Sequence, residues 1–249
     1  MSGIGTGYDL SVSTFSPDGR VFQTDYAQKA VDIGGTVIGL RCNDGVVLGC
    51  EKTVVSKMLE EGSNKRTFAV DRHAGLAIAG LSADGRQVVN RAKSEASNYL
   101  SFYGDKIPGH LLSERIASFV HVFNLYWYAR PFGTSVMLAT MDRAGPQLYV
   151  IDPSGTAYRY FGAAVGKGRQ GARTTIERLK LEQLSCADGV KEIAKILHQV
   201  HEEEKPFELE LSWICEASGN EFRRVPADVV AEADRLAKAA LDESDMDDD

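Results

Sequence analysis

The sequence is poor in cysteine and in long apolar runs. Its four cysteines are scattered along 249 residues without a Cys-x-x-Cys pair, which argues against a zinc cage and a disulfide framework. The most apolar stretch, residues 119–128, is far shorter than a membrane span. Residues 1–7 contain no basic or apolar signal region, and Ser2 stands where a myristoylation motif requires glycine. We therefore expect a soluble, intracellular, globular chain with no membrane partner.

An excess of basic charge is also missing. The formal net charge is −7, but six of the 35 acidic residues lie within residues 242–249, so the rest of the chain is nearly neutral. Because nucleic-acid binding requires clustered positive charge, we expect no nucleic-acid partner. A run of like charge is typical of disordered segments and predicts an acidic tail over 242–249. Ser244 lies among these acids, a context that acid-directed kinases favour, and it is a predicted phosphorylation site.

The local signals come in blocks of strands and helices. Residues 1–15 are rich in Gly, Ser and Thr and lack a core pattern, which predicts a mobile arm. Ser16-Pro17 predicts the start of a helix that ends before Gly34-Gly35, so that the helix occupies 16–33. The predicted strands are 36–42, 46–52, 67–70, 76–79, 135–140, 147–151, 157–161 and 208–215. The other predicted helices are 82–104, 109–127, 168–181, 186–203 and 226–241. This order predicts one α+β domain over 16–241, with two sheets between helix layers.

Several stretches carry a resemblance to a known family. Tyr8-Asp9, the run FSPDGRVFQ at 15–23, and Tyr26-Ala27 resemble the N-terminal signature of 20S proteasome alpha subunits. The supporting stretches are AGLSADGR at 79–86, RPFG at 130–133, DPSG at 152–155, AVGKG at 164–168 and FELELSW at 207–213. Within that family, residues 3–10 and the acidic end are most similar to the type-3 class.

The resemblance implies a fold and a function. The fold is the four-layer αββα sandwich of the N-terminal-nucleophile hydrolases. The function is that of a non-catalytic subunit in a seven-membered alpha ring, together with six other alpha subunits and with a catalytic beta ring beneath. Such a particle degrades proteins in ubiquitin- and ATP-dependent pathways in the cytoplasm and nucleus. No cofactor is implied.

The resemblance also implies a gate for the axial pore. The glycine-rich arm before Tyr8 has little packing capacity, which suits a segment that blocks the pore and can be moved aside. In the family, the equivalents of Tyr8, Asp9, Pro17 and Tyr26 cluster when the pore opens, and all four residue types are present here.

Two further surfaces follow from the resemblance. The ring contact is expected on the N-terminal helix at Phe22, Tyr26 and Ala30, because that face has no partner within a single αββα core. The second surface is a pocket that receives the C-terminal carboxylates of activators such as the regulatory particle. Its expected lining is Lys65, Arg66, Gly80 and Leu81, with Arg66 as the basic residue. The alternative for Lys65-Arg66 is a solvated turn.

Thr36 follows two glycines, as in the self-cleavage junction of a threonine hydrolase. In that class, the free α-amine of the new N-terminal threonine acts as the general base, whereas the nitrogen of Thr36 is an amide. The predicted strands 36–42 and 46–52 are joined at Asn43-Asp44-Gly45, which is a strong hairpin signal. Aligning this hairpin with catalytic relatives places Gly35 in the nucleophile position and Glu51 in that of the catalytic aspartate. The lysine position falls at Arg66, or at Lys65 if the gap moves by one. The sequence therefore predicts that Thr36 begins a strand and that the chain has no nucleophile.

Two other motifs leave rival hypotheses open. Residues 166–171 read GKGRQG, a literal G-x-G-x-x-G, but no later strand ends in the acid of a nucleotide-binding fold, which favours a tight strand-to-helix turn. His198 and His201 could form a metal site on one helix face. We favour the interpretation that they flank an apolar stripe near a helix end, where a cation is stabilised, and we expect no metal. An active threonine hydrolase and a nucleotide-binding oxidoreductase remain the rival classes.

Overall fold

The computed structural model describes residues 7–54, 56–60, 62–201 and 206–247, with side chains up to Leu241. The strands are β1 Val37–Arg41, β2 Gly45–Thr53, β3 Thr67–Asp71, β4 Ala74–Gly80, β5 Thr134–Asp142, β6 Gly145–Ile151, β7 Ala157–Tyr160, β8 Gly162–Val165, β9 Phe207–Cys215 and β10 Arg223–Arg224. The helices are α1 Phe22–Asp32, α2 Ser82–Tyr103, α3 Gly109–Val122, α4 Arg169–Arg178, α5 Cys186–Val200 and α6 Ala227–Asp247. Within the described ranges, none of the helices combines the length and the apolar character needed to cross a membrane.

The strands form two antiparallel sheets of five strands each. The first has the order β10-β9-β2-β1-β8, and the second has the order β3-β4-β5-β6-β7. The central strands alternate apolar side chains between two buried faces. In β1, Ile38 and Leu40 pack towards α4 and α5, whereas Val37 packs towards the other sheet. In β4, Leu76 packs under α2 and α3.

Three apolar clusters therefore separate four layers. One lies between α2, α3 and the second sheet, one lies between the two sheets, and one lies between the first sheet and α4, α5 and α6. A strand buried on both faces needs apolar residues at consecutive positions, which β2 supplies with Val46, Val47 and Leu48. The predicted αββα sandwich is confirmed.

The first helix begins later than the sequence predicts. It starts at Phe22, and residues 16–20 form a tight turn instead. The Gly19 N–H donates to the carbonyl of Ser16 at 2.9 Å, and the Ser16 hydroxyl accepts from the N–H of Arg20. Gly19 has a φ of 75°, in the left-handed region, so a right-handed helix cannot continue through it.

Two element boundaries in the middle of the chain also differ from the prediction. Helix α3 ends at Val122, so Trp127 lies outside it and is exposed rather than part of its apolar face. The predicted strand 157–161 is two strands, because the chain passes from the second sheet to the first between Tyr160 and Gly162. A Cβ at Gly162 would meet the Ile176 side chain at 2.7 Å, so the close approach of α4 favours glycine there.

The two ends of the chain also depart from the predicted boundaries. Residues 1–6 of the predicted arm lie outside the described residues, but Val12 within it is buried, so the arm is anchored before the helix. Helix α6 continues to Asp247, six residues past the predicted end of the domain, since its sequence contains no Gly or Pro to stop it. The backbone of residues 242–247, predicted as a disordered tail, is helical in this structure. The side chain of Ser244 and residues 248–249 lie outside the described part.

Candidate functional site

The Thr36 centre is closed and fully hydrogen-bonded. Thr36 is 0% exposed, and its hydroxyl accepts the N–H of Gly168 at 3.0 Å. Its own N–H donates to Glu51 Oε2 at 3.0 Å. A nucleophile must be accessible and must lie near a base, whereas this hydroxyl is used as an acceptor for the backbone. The geometry agrees with the prediction that Thr36 is a structural residue at the entry to β1.

His198, on α5, and His201, directly after the last residue of α5, bind different carboxylates. His198 Nε2 lies 2.7 Å from Asp234 Oδ1 of α6, and His201 Nδ1 lies 2.6 Å from Glu51 Oε1. The ring of Phe207 packs against both imidazoles. Burial alone would raise the pKa of Asp234, but hydrogen bonds from Lys238 and His198 hold it below its ordinary value. Among the described residues, no group of three or more His, Cys, Asp or Glu side chains could hold a metal ion.

The GKGRQG segment is a strand-to-helix turn. Strand β8 ends at Val165 and α4 begins at Arg169. Gly166 has a φ of 98°, and a Cβ there would lie 2.5 Å from the carbonyl oxygen of Gly35, so only glycine fits. The Lys167 N–H donates to the carbonyl of Gly34 at 2.9 Å, which ties the turn to the entrance of β1. The turn belongs to an antiparallel sheet, unlike the parallel unit that binds dinucleotides.

The structure brings together three of the four residues predicted to line the activator pocket. Arg66 Nη1 donates to the carbonyl of Gly80 at 2.9 Å, and Leu81 follows directly with 48% of its surface exposed. Gly80 has a φ of 90°, and a Cβ there would clash with the carbonyl oxygen of Gly133, so only glycine fits. Lys65 is exposed beside them.

An ion pair between Asp84 and Arg130 holds Gly133, which is hydrogen-bonded to Leu81. Asp84, in the first turn of α2, accepts two hydrogen bonds from Arg130 at 2.6 and 2.9 Å and one from the N–H of Gly133 at 2.9 Å. The Arg130 hydrogen bonds hold the pKa of Asp84 below its ordinary value. The carbonyl of Gly133 in turn accepts the N–H of Leu81 at 2.9 Å. Residues 79–86 and 130–133 both contribute to the family resemblance. The contact between Asp84 and Arg130 could not be predicted from the sequence, because the two residues are 46 positions apart.

Two of the four predicted gate residues are in contact. The Tyr26 hydroxyl donates to Asp9 Oδ2 at 3.4 Å, and Gln23 Nε2 donates to the Asp9 carbonyl. Tyr8 and Pro17 are both exposed, and within the described ranges neither is hydrogen-bonded to this pair. The segment that precedes the turn is therefore joined to α1 through Asp9.

The predicted ring-contact face is only partly free. Phe22 is 8% exposed and stacks on Tyr26, so it is already buried within this chain. The expectation that this face has no partner within the chain does not hold at Phe22, because its ring is buried and lies under the Arg20 guanidinium. Tyr26 remains 47% exposed and Ala30 is half-buried.

Comparison with known families agrees with this architecture. A family model described as "Proteasome subunit" matches residues 31–214, and a second model, described as the N-terminal signature of the A-type proteasome subunits, matches residues 8–30. The chain belongs to the proteasome subunit family. It is 60% identical over 249 residues to an alpha type-3 proteasome subunit of Arabidopsis thaliana, covering 99% of this chain and 100% of that protein.

Relatives in other lineages extend the match. An alpha type-3 proteasome subunit of Acanthamoeba castellanii is 55% identical over 244 residues, which cover 97% of each chain. A probable alpha type-7 proteasome subunit of Saccharomyces cerevisiae is 44% identical over 251 residues, covering 98% of this chain and 87% of that protein. The chain is thus a proteasome alpha subunit: it is non-catalytic and assembles with other subunits into the 20S core particle. Catalysis in that particle belongs to the beta subunits.

Proposed function

We propose that this alpha subunit docks the C-terminal carboxylate of an activator at Arg66. The observation that supports the proposal is the hydrogen bond from Arg66 Nη1 to the Gly80 carbonyl, with the exposed Leu81 side chain beside it. A guanidinium keeps further N–H donors after this one is used, and arginine binds carboxylates in a bidentate way. One fixed cation next to an apolar wall suits a peptide terminus with an apolar last residue.

The docking proposal is tested with assembled core particles in which Arg66 is replaced. For Arg66→Ala, the activator concentration that gives half-maximal stimulation of peptide hydrolysis should rise about tenfold or more, since a charge partner of the carboxylate is lost. Arg66→Lys should restore part of the response, because the positive charge is kept. A normal response of the Arg66→Ala particle would contradict the proposal.

We further propose that the N-terminal segment helps to close the axial pore. The contact of Asp9 with Tyr26 and Gln23 supports it, because it joins the segment to α1, the helix we place at the ring contact through Tyr26 and Ala30. Deletion of residues 2–7 should raise the resting hydrolysis of a fluorogenic peptide and reduce the stimulation by activators. The increase should be partial, because six other alpha subunits would still contribute their segments. Assembly should survive, since Val12 and the later packing are kept.

We also propose the partners of this subunit and the compartments in which it works. The partners are six other alpha subunits in a seven-membered ring, a beta ring beneath it and activators above it, in ubiquitin- and ATP-dependent degradation. We place the chain in the cytoplasm and nucleus, which the four free, buried thiols of Cys42, Cys50, Cys186 and Cys215 support, since disulfides are rare in these compartments. Imaging of the tagged chain tests this placement, and exclusion from either compartment would contradict it.

Phosphorylation of Ser244 stays a separate proposal, supported by the acidic residues on both sides of it. Phosphate would add negative charge to a segment that is already acidic and would tune binding to a basic partner. Intact mass of the chain from native particles, before and after phosphatase treatment, tests it. Loss of one phosphate mass from the wild-type chain, and no change for Ser244→Ala, is the expected result.

A further inference from the structure

A buried carboxylate, that of Glu210, is hydrogen-bonded to the backbone of Arg66. Glu210 is on β9, opposite Cys50 of β2, and its side chain is only 5% exposed. Its Oε2 accepts the N–H of Arg66 at 2.9 Å. Its Oε1 accepts both the N–H and the hydroxyl of Thr67, at 3.0 and 2.6 Å. One side chain from the first sheet thus binds two consecutive residues at the start of β3, in the second sheet.

Two cations compensate the charge of this carboxylate. Arg224 Nη2 lies 3.2 Å from Glu210 Oε1, and Lys52 Nζ lies 3.9 Å from Oε2. Lys52 is itself 7% exposed and binds Glu208 at 3.0 Å. A buried carboxylate is costly even when paired, and an apolar residue often stabilises a fold as well or better. A contribution to stability is therefore a poor explanation for a buried carboxylate at this position. A carboxylate does, however, have the two oxygens that are needed to accept the adjacent N–H groups of Arg66 and Thr67.

The contacts of Arg66 show what the carboxylate holds in place. Its N–H binds Glu210, its carbonyl accepts the N–H of Ile78 at 3.0 Å, and its guanidinium binds the Gly80 carbonyl at 2.9 Å. Backbone and side chain are thus fixed at separate points. Without the Glu210 contacts, two successive amides at the start of β3 would lose their side-chain acceptor, and the guanidinium would no longer start from one fixed position.

We propose that Glu210 is a positioning residue for the docking site, which pre-orients Arg66 for the carboxylate of an incoming peptide. The proposal rests on the docking function proposed for Arg66. A side chain that is ordered before binding avoids the entropy cost of being ordered by the ligand. For one long side chain, that cost corresponds to about two- to tenfold in affinity.

The test uses assembled core particles and a pocket-specific readout. The probe is a ten-residue peptide from the C-terminus of an activator subunit, with a free carboxylate and a photo-crosslinking residue near its end. The measured quantity is the peptide concentration at which cross-linking to this chain is half-maximal. Glu210→Gln should raise it about two- to tenfold, because the amide keeps the shape but puts a donor against one of the N–H groups. A C-terminally amidated peptide should show a much smaller difference between the two particles.

The matched control is Glu208→Gln, which removes the same charge from the same strand and also loses a Lys52 pair, but does not contact Arg66 or Thr67. It should cross-link like the wild type. If Arg66→Ala weakens cross-linking while Glu210→Gln does not, the positioning role is overturned and the docking function stands. If Arg66→Ala has no effect, the docking function itself fails. A merely structural Glu210 would lower the yield of particles without changing the half-maximal concentration in those that assemble.

A second variant decides the question if Glu210→Gln particles do not assemble. Thr67→Val keeps both N–H donors but loses the hydroxyl that binds Glu210 at 2.6 Å. It should raise the half-maximal concentration in the same direction by a smaller factor. Hydrogen exchange of the peptide that contains Arg66 and Thr67 should also become faster in that particle. An unchanged concentration together with unchanged exchange overturns the proposal.

Discussion

Replacement of Thr36 separates a structural threonine from a catalytic one. Its side chain is fully buried, and its hydroxyl accepts the Gly168 N–H at 3.0 Å. Thr36→Val keeps the shape but leaves that N–H without its acceptor, at a cost of about 1–3 kcal/mol. Thr36→Ser keeps the hydroxyl and removes one methyl group, at a cost of about 0.8 kcal/mol. Thr36→Ala loses both groups and should therefore cost about 2–4 kcal/mol.

The assay compares these variants within assembled particles. Hydrogen exchange in the peptide that contains Gly168 should become faster in the order Ser, Val, Ala, since about 1.4 kcal/mol corresponds to tenfold in an opening equilibrium. Hydrolysis of peptides representing each cleavage specificity should be unchanged per particle for all three variants. If one specificity disappears from assembled Thr36→Val particles, or if the native chain is found to begin at Thr36, the reasoning is refuted.

Four further outcomes are expected. Tyr26→Phe, which loses the hydroxyl that binds Asp9, should blunt stimulation by activators while assembly is kept; normal stimulation would count against the gate role of this pair. The stabilisation from Asp84 should be present at neutral pH and lost as the pH falls below about 4, because its pKa is depressed in the folded state; Asp84→Asn should weaken this acid dependence, as followed by thermal unfolding. Phe22→Asp should lower the yield of the soluble chain itself, because the ring is buried before assembly and an unpaired buried carboxylate costs several kcal/mol; a normal yield with failed ring incorporation would instead place Phe22 at the ring contact. Elemental analysis should find no stoichiometric zinc, because His198 and His201 bind different carboxylates, and bound zinc would show that this geometry is rearranged.

Much of the layer order could be predicted from the sequence, because it follows from periodic patterns. The asparagine-aspartate-glycine turn and the flanking apolar runs predict the β1–β2 hairpin, and the structure confirms it with Leu40 opposite Val47. The N-cap of α5 has a similarly local origin, since the N–H of Asp188 donates to the Ser185 hydroxyl and that hydroxyl donates to the Asp188 carboxylate. These features depend on neighbours within a few residues, where propensity and hydrogen bonding are local.

The features that the sequence did not predict are those that depend on contacts between residues far apart in the chain. The passage of the chain between sheets after Tyr160 depends on the space left by α4, and the short run GAAV of β8 has no pattern of its own. Phe22 has the spacing of a free helix face, yet its ring is buried within the chain and lies under the Arg20 guanidinium. Glu210 cannot be recognised as a site residue from the sequence, because Glu208 and Glu210 alternate with leucines as they would on a solvent-facing strand. In the structure, Glu210 accepts a hydrogen bond from Thr67 of the other sheet and is 5% exposed, whereas the side chain of Glu208 is 43% exposed.

The positions that align with catalytic groups have different contacts here, and these contacts explain why restoring one residue would not restore activity. The nucleophile position holds Gly35, which has no hydroxyl. At the adjacent Thr36 a free amine cannot form unless the chain is cut, and the N–H of Thr36 donates to Glu51. Glu51 in turn binds His201, so its carboxylate is not available to a reacting group. Arg66, at the lysine position, directs its guanidinium to the Gly80 carbonyl, and an arginine that is always charged cannot exchange protons as a tuned lysine does. Each group that a hydrolase would use is therefore bound within the fold. The same arrangement leaves Arg66 fixed at the edge of the sandwich, where a fixed cation can bind a carboxylate from a partner.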